Sequence, residues 1–142
     1  MQIRRYRGKL SGPLLDRFDL VVRVPPVDLA ALARAAPSED SQAVRKRVVD
    51  ARDRQRARLG ADGPTCNARM GPADLARFAP LDRNSRSRLL SAGDRFGMTA
   101  RGFDRVRRVA RTLADLEGTP RISETHVAEA LQYRHSDVPG AD

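Results

Sequence analysis

The sequence contains no tryptophan, and aromatic residues occupy only 4% of its 142 positions. A core with so few rings must be filled mainly by leucine, valine and alanine, as is common in helical bundles, which argues against an all-β sandwich. The length and the 40% apolar content suffice for one domain with a modest core.

Cysteine and histidine are nearly absent. Cys66 is the single cysteine, which excludes an internal disulfide, and neither His126 nor His135 is spaced from it as a metal ligand. No zinc site is therefore expected. Cys66 has no base near it in sequence, so it is interpreted as incidental rather than nucleophilic, and the two histidines as surface or capping residues.

Long apolar runs are also missing. None approaches the roughly 18 residues that span a bilayer, and residues 1–10 lack the apolar centre of a signal peptide. The sequence predicts a soluble, cytoplasmic protein with no membrane partner.

The net charge of +9 comes from arginine, because Lys9 and Lys46 are the only lysines. A basic domain can bind nucleic acid through its phosphates. The preferred explanation is plainer: arginines on solvated helix faces opposite acidic residues, in an arginine-rich composition set by GC-rich codon usage. DNA remains a candidate partner.

The strongest strand pattern is FDLVVRV, residues 18–24, a β-branched run closed by Pro25 and Pro26. No second strand of comparable quality follows, and a lone strand needs a sheet to pair with. We therefore expect it to be disordered or wrongly packed in this chain. The domain limits follow: 1–27 carries the strand, 28–134 is helical, and 135–142 is a disordered tail.

Helical patterns fill residues 28–134. Predicted caps are Asp28, Ser41, Asp82, Thr99 and Ser123, and predicted stops are Pro37, Gly97 and Gly118. A long helix over 42–59 is expected to bury Val44, Val48, Ala51 and Leu59, and a loop over 60–72 precedes a short helix that starts at Pro72 and ends near Phe78. The clearest amphipathic pattern runs from 99 to 117 through Phe103, Val106, Val109, Ala110, Leu113 and Leu116.

Two stretches carry a more specific resemblance. YRGKLSGPLLDRFDLVVRVPPV (6–27) resembles the segment after the sensor-1 strand of magnesium-chelatase-like AAA+ proteins of the ComM or YifB group, and GMTARGFDRVRRVARTLADLEGTPRISETHVAEALQYR (97–134) resembles their helical lid. The helix VRKRVVDARDRQ (44–55) lies between them. The resemblance implies a mainly α fold: a helical-bundle lid domain, preceded by the remnant strand of an incomplete α/β core.

The resemblance also implies a nucleotide-binding P-loop upstream of this chain. The chain itself has no GxxxxGK[ST] motif and no acidic pair ending an apolar strand, which phosphoryl transfer needs for phosphates and metal. It is therefore expected to have no ATPase activity alone and no bound cofactor, to be monomeric, and to belong to a full-length ATP hydrolase that uses ATP and Mg²⁺. Identical subunits of a ring, in the ComM group a hexamer, are the implied partners.

Arg17, in LLDR, resembles the arginine finger that reaches a neighbouring subunit's γ-phosphate. A planar, permanently charged guanidinium suits this task because it can make paired hydrogen bonds to phosphate oxygens. Asp16 resembles the adjacent interface acid. The alternatives are that Arg17 pairs with Asp16 or Asp19 on the surface, and that Asp16 is only a charge at a helix end.

Arg101, in TARG, resembles the sensor-2 arginine of the lid, which contacts nucleotide phosphate in its own subunit. Its place in the first turn of a helix capped by Thr99 favours an anion nearby, and Gly102 permits a close approach. The alternative is a solvated arginine. Four further arginines of this helix either meet DNA or lie in solvent, and their scatter around the helix favours solvent: Arg105, Arg107, Arg108 and Arg111.

The implied function is the nucleotide-sensing, subunit-interface part of an ATP-driven ring motor, a ComM-like helicase acting on DNA branches during DNA uptake and recombination. Two alternatives stay open. One is a magnesium-chelatase-type ATPase subunit. The other is a stand-alone DNA-binding module, because residues 89–116 have the outline of a helix-turn-helix.

Overall fold

Six α-helices dominate the part of the chain that the computed structural model describes, residues 17–22, 24–26, 28–34 and 39–134. None of the helices in these ranges is both long and apolar enough to cross a membrane. The prediction of a mainly helical fold is confirmed. The helices are α1 (Leu29–Arg34), α2 (Ser41–Leu59), α3 (Pro72–Phe78), α4 (Arg83–Phe96), α5 (Ala100–Glu117) and α6 (Glu124–Gln132), with a 3-10 turn at Asn67–Arg69.

Local side-chain caps set where the later helices begin. Asp82 accepts a hydrogen bond from the N–H of Ser85 at 2.7 Å, and this bond lowers the pKa of the Asp82 carboxyl. Thr99 Oγ1 accepts one from the N–H of Gly102 at 3.0 Å. Ser123 caps α6. All three caps are as predicted, because a cap is a contact over three residues that the sequence displays directly.

Helix α2 begins one residue earlier than expected. Asp40, rather than Ser41, is its cap, and its carboxylate accepts a hydrogen bond from the N–H of Ala43 at 2.7 Å. At the other ends, the predicted stops Gly97 and Gly118 have φ angles of 57° and 82°. This left-handed region costs glycine least, so both helices end where the sequence indicated.

Helix α5 is the centre of the domain. It contacts α2, α3, α6 and the 3-10 turn, while α4 packs on α6. Val106, Ala110 and Ala114 lie buried along its inner face, so the predicted amphipathic pattern is confirmed apart from Leu116, which is 42% exposed. Burial of each large aliphatic side chain contributes about 1.5–3 kcal/mol. Such side chains from the other elements complete the core: Leu59, Met70, Leu75, Leu89, Ile122 and Val127.

Only the C-terminal half of α2 is buried. Ala51, Gln55 and Leu59, spaced four residues apart, are its buried residues. Val44 and Val48 are 41% and 48% exposed, so the prediction that they share the buried face is wrong. The two valines lie on one face of α2, as their spacing indicates, but no other element in the described ranges covers that face in the N-terminal half of the helix.

The predicted strand is not formed in the described residues of 18–24. Phe18, Leu20, Val22 and Val24 are all about half or more exposed. One backbone bond ties this stretch to the helices: the N–H of Val21 donates to the carbonyl oxygen of Tyr133 at 2.8 Å. A strand needs a hydrogen-bonded neighbour, and no strand lies beside it in the ranges that the structure describes. The proposed tail, 135–142, and the predicted stop Pro37 fall outside those ranges.

A buried polar cluster joins α2, the 3-10 turn and α5. The Asp115 carboxylate, 1% exposed, accepts hydrogen bonds from Arg58 Nη2 and Asn67 Nδ2, each at 2.8 Å, and pairs with Arg111 Nη2 at 3.0 Å. Arg111 also donates to the carbonyl oxygens of Pro120 and Thr119 at 2.9 and 2.7 Å. We call Arg58, Asn67, Arg111 and Asp115 the buried ionic cluster. Burial lowers the pKa of Arg111, and the neighbouring Asp115 carboxylate opposes that shift.

Replacing Asp115 by asparagine is expected to destabilise the chain by about 3–5 kcal/mol, because the buried guanidinium of Arg111 and the partly buried one of Arg58 lose their counter-charge while the side-chain shape is kept. Urea unfolding measures this loss. Asp53→Asn is the matched control: Asp53 pairs with Arg56 on the surface, with both side chains at least 60% exposed, and its loss should cost less than about 1 kcal/mol. Equal losses in the two variants would contradict a special role for the buried cluster.

Candidate functional site at the start of helix α5

Arg101 lies at the second position of α5, one residue after the start of the helix and two after its cap. Its side chain is exposed, and within the described ranges it makes no hydrogen bond or ion pair. A cation here faces the positive end of the helix dipole and the first-turn N–H groups, an arrangement that costs a few tenths of a kcal/mol without an anion and favours binding one. The sequence placed this residue correctly in the first turn.

Gly102 allows a second arginine to reach this helix end. A Cβ atom at Gly102 would lie only 2.8 Å from Nη2 and 3.1 Å from Cζ of Arg134. The Arg134 guanidinium therefore covers the bare Cα of a residue adjacent to Arg101. Gly102 was expected to permit close approach, and the group that approaches is Arg134, from the end of α6. No pattern within the sequence pairs residues 102 and 134.

Arg17 lies in a turn before the helices and is exposed. The neighbour proposed as its possible surface partner, Asp19, pairs instead with Arg105 of α5, with Oδ1 and Nε 3.2 Å apart. Asp16, the other proposed partner and candidate interface acid, lies outside the described residues. The surface pairing of Arg17 with Asp19 is therefore not formed.

The remaining arginines of α5 bind the protein itself. Arg107 Nη2 donates to the carbonyl oxygens of Leu75 and Ala79 at 2.8 and 3.1 Å, at the C-terminal end of α3. Arg108 Nε donates to the carbonyl oxygen of Met70 at 2.9 Å. Arg111 belongs to the buried ionic cluster. These side chains are neither a DNA-binding stripe nor solvated, the two alternatives that the sequence left open.

Burial lowers the pKa of Arg107, and the nearby Asp104 carboxylate opposes this shift. The side chain is only 16% exposed, and its Nε is buried without a partner among the described residues. Arg107 therefore supports the C-terminal end of α3: it adds a second hydrogen bond to the Leu75 carbonyl oxygen, which already accepts the N–H of Ala79, and it donates to the Ala79 carbonyl oxygen beyond the helix end. The periodicity of apolar residues in the sequence does not predict this contact, because it joins residues of two different helices.

His126 and Cys66 have local roles. His126, 5% exposed, accepts a hydrogen bond at Nδ1 from the N–H of Ser123 at 3.0 Å, and its Nε2 contacts Glu117. It is thus a cap residue, as expected, though buried.

The pKa of the Cys66 thiol is subject to opposing influences. Burial acts to raise it, but a hydrogen bond from Arg52 and backbone hydrogen bonds outweigh burial, so the pKa is lowered. In the described part of the chain no cluster of acidic, cysteine or histidine side chains could hold a metal ion.

Comparison with known protein families fits this architecture. Residues 38–134 match the family model described as magnesium chelatase, subunit ChlI C-terminal, and residues 1–32 match the model of magnesium chelatase, subunit ChlI. The chain belongs to the magnesium-chelatase-like AAA+ family, and the resemblance inferred from its two motif stretches is confirmed.

Individual relatives match nearly all of the chain. It is 37% identical over 134 residues to competence protein ComM of Haemophilus influenzae and 36% identical over 137 residues to the uncharacterized protein YifB of Salmonella typhimurium, which covers 94% and 96% of this chain. The uncharacterized protein Mb2921c of Mycobacterium bovis is 41% identical over 134 residues, 94% of this chain. The chain spans 26% of the length of each of these relatives.

Arg107 and Arg101 should respond differently to the same change. Arg107→Met removes the donor for two carbonyl oxygens and should destabilise the chain by about 1.5–3 kcal/mol. Arg101→Met removes an exposed side chain with no partner in the described residues and should change stability by less than about 0.5 kcal/mol. Thermal or urea unfolding of the two variants tests the contrast. A loss at Arg101 as large as at Arg107 would mean that Arg101 is structural.

Proposed function

We propose that this chain is the nucleotide-sensing and subunit-interface part of an ATP-driven ring motor. One observation carries the proposal. Of the five arginines in α5, Arg101 alone is exposed and without a hydrogen bond or ion pair among the described residues, and it lies at the helix end that favours an anion. The arginines further along the helix hold the fold together. A charged side chain kept out of the fold at this point is available to bind phosphate.

Arg101 would contact the phosphates of the nucleotide bound in its own subunit. The first-turn N–H groups of α5 add partial positive charge, and the guanidinium of Arg134 adds a second full charge beside Gly102. Together these groups would offset the negative charge of a polyphosphate. In the full-length protein, ATP with Mg²⁺ would supply the phosphoanhydride that is cleaved, and residues of a P-loop core would hold the metal.

Arg17 would act across the subunit interface as an arginine finger, with Asp16 as the adjacent interface acid. Arg17 is exposed and is not paired with Asp19, one of the two surface partners that the sequence suggested. A finger that stabilises the charge of a transferring phosphoryl group is worth about 10³–10⁵ in rate. The full ring, in the ComM group a hexamer of identical subunits, would bring Arg17 to a neighbour's nucleotide.

The motor's substrate is proposed to be branched DNA, as in ComM-like helicases that act in DNA uptake and recombination. The likeness to competence protein ComM over 94% of the chain and the net charge of +9 support this reading. The chelatase reading rests on the family's description, magnesium chelatase, and on no residue of this chain in particular. The helix-turn-helix reading has less support, because α5, which would have to enter the major groove, is covered by α2, α3 and α6.

Mixing experiments with the full-length protein test the role of Arg17. Arg17→Ala rings should bind ATP and hydrolyse it at least about 10³-fold more slowly, because the finger is missing from every interface. A variant lacking the P-loop lysine should fail for a different reason, at its own site. Rings mixed from the two should recover part of the activity. If Arg17→Ala alone is active and mixing restores nothing, Arg17 is not a finger.

Substitution of Arg101 tests the contact within one subunit. In the full-length protein, Arg101→Ala should lower kcat/KM for ATP by about 10- to 100-fold, the range expected when a charged hydrogen bond to phosphate is lost. Arg83→Ala is the matched control, because Arg83 is an exposed arginine in the first turn of α4, another capped helix. Equal, small effects of the two substitutions would place Arg101 in solvent rather than at the nucleotide.

A further inference from the structure

The segment that carries Arg17 is held against the helices at two points. Arg105 of α5 pairs with Asp19 through Nε and Oδ1, 3.2 Å apart, and its Nη1 donates to the carbonyl oxygen of Phe18 at 3.2 Å. The Val21 N–H donates to the carbonyl oxygen of Tyr133 at 2.8 Å. We call the contacts of Arg105 with Asp19 and Phe18 the segment clamp. It joins residues 86 and 87 positions apart in sequence and begins one residue after Arg17.

Arg105 is well placed to fix this segment. Its side chain is only 12% exposed, although it carries a full charge, while that of Asp19 is 51% exposed. Arg105 donates to a backbone carbonyl oxygen as well as to a carboxylate. Two contacts at neighbouring residues fix the direction in which the segment runs as well as its distance from α5. Arg105 also lies four residues after Arg101, so the two side chains leave the same face of α5.

We infer that Arg105 is a positioning residue that links the arginine-finger segment to helix α5, so that Arg17 and Arg101 move as one unit. This inference rests on the proposed function. In a ring, Arg17 touches the nucleotide of the neighbouring subunit and Arg101 the nucleotide of its own. The segment clamp joins the segment that carries Arg17 to helix α5, which carries Arg101. Nucleotide bound in one subunit therefore changes the position of Arg17 at the nucleotide of the neighbouring subunit.

This linkage has a thermodynamic consequence. If ATP bound at Arg101 shifts α5, the segment clamp passes that shift to Arg17, and each site then alters the affinity of the next. We expect ATP at one site to favour binding at the next, and positive coupling of this kind appears as a Hill coefficient above 1 for ATP hydrolysis. A broken clamp should leave each site able to bind ATP but independent of its neighbours.

Charge exchange in the full-length protein tests the inference. Asp19→Arg places two cations together and should lower the Hill coefficient toward 1. The double variant Asp19→Arg with Arg105→Asp restores an ion pair of reversed polarity, but not the bond to the Phe18 carbonyl oxygen, which a carboxylate cannot donate, and it should recover part of the cooperativity. Asp94→Arg, the same change at an exposed acid of α4, is the control and should leave the Hill coefficient unchanged.

A second measurement needs no nucleotide. Amide hydrogen exchange at Val21, whose N–H bonds to Tyr133, reports whether the segment stays docked. Exchange should be about three- to fivefold faster in Asp19→Arg than in the wild type, the range expected for loss of a partly exposed ion pair, and should slow again in the double variant. Asp19 is half exposed in a non-helical stretch, so this variant does not endanger folding as Arg105→Asp alone would.

The outcomes separate the two proposals. A wild-type Hill coefficient of 1, unchanged exchange at Val21 in Asp19→Arg, or a loss of cooperativity that the double variant does not repair even in part would overturn the clamp. In those cases strong effects of Arg17→Ala and Arg101→Ala would still support the nucleotide-sensing function. If neither of these two substitutions affects hydrolysis, the proposed function itself fails, whatever Val21 shows.

Discussion

The Asp115 carboxylate makes the directional contacts between α5 and three other parts of the chain that the apolar core also brings together. Through Arg58 it holds α2, through Asn67 the 3-10 turn, and through Arg111 the segment that leads into α6. The pairing is buried, so water cannot replace a missing partner and the geometry is strict. The orientation of α5 within the domain follows from this contact. Since α5 carries Arg101 in its first turn and Arg105 one turn later, the candidate site and the docking of the segment that carries Arg17 depend on it as well.

Much of the fold could be predicted from sequence because it depends on local contacts. The caps at Asp82, Thr99 and Ser123 and the stops at Gly97 and Gly118 act over a few residues, so their residue types suffice to place the helix ends. The inner face of α5 was predictable because its apolar residues recur at the helical period. The same reasoning failed for Val44 and Val48, because periodicity gives the face of a helix but not how far along the helix its neighbour extends.

The polar contacts could not be predicted, because they join distant residues. Arg58 and Asp115 are 57 residues apart, and Arg105 and Phe18 are 87 apart. Nothing in the sequence distinguishes a buried arginine from a solvated one when both lie on the same helix. For this reason Arg101 could be assigned from its motif and its place in the first turn, whereas Arg134 beside it could not. Arg134 can lie beside Arg101 at the start of α5 only because Gly102 has no side chain.

The contact of Arg107 with the end of α3 bears on the order in which the chain folds. A helix of seven residues is too short to persist alone, since nucleation costs more than so few hydrogen bonds return. The carbonyl oxygen of Leu75 in its last turn and that of Ala79, just beyond its end, both accept hydrogen bonds from a guanidinium of α5. Helix α3 is therefore expected to be a late element in folding, formed on a template that α5 provides, and among the first to open when the native state fluctuates.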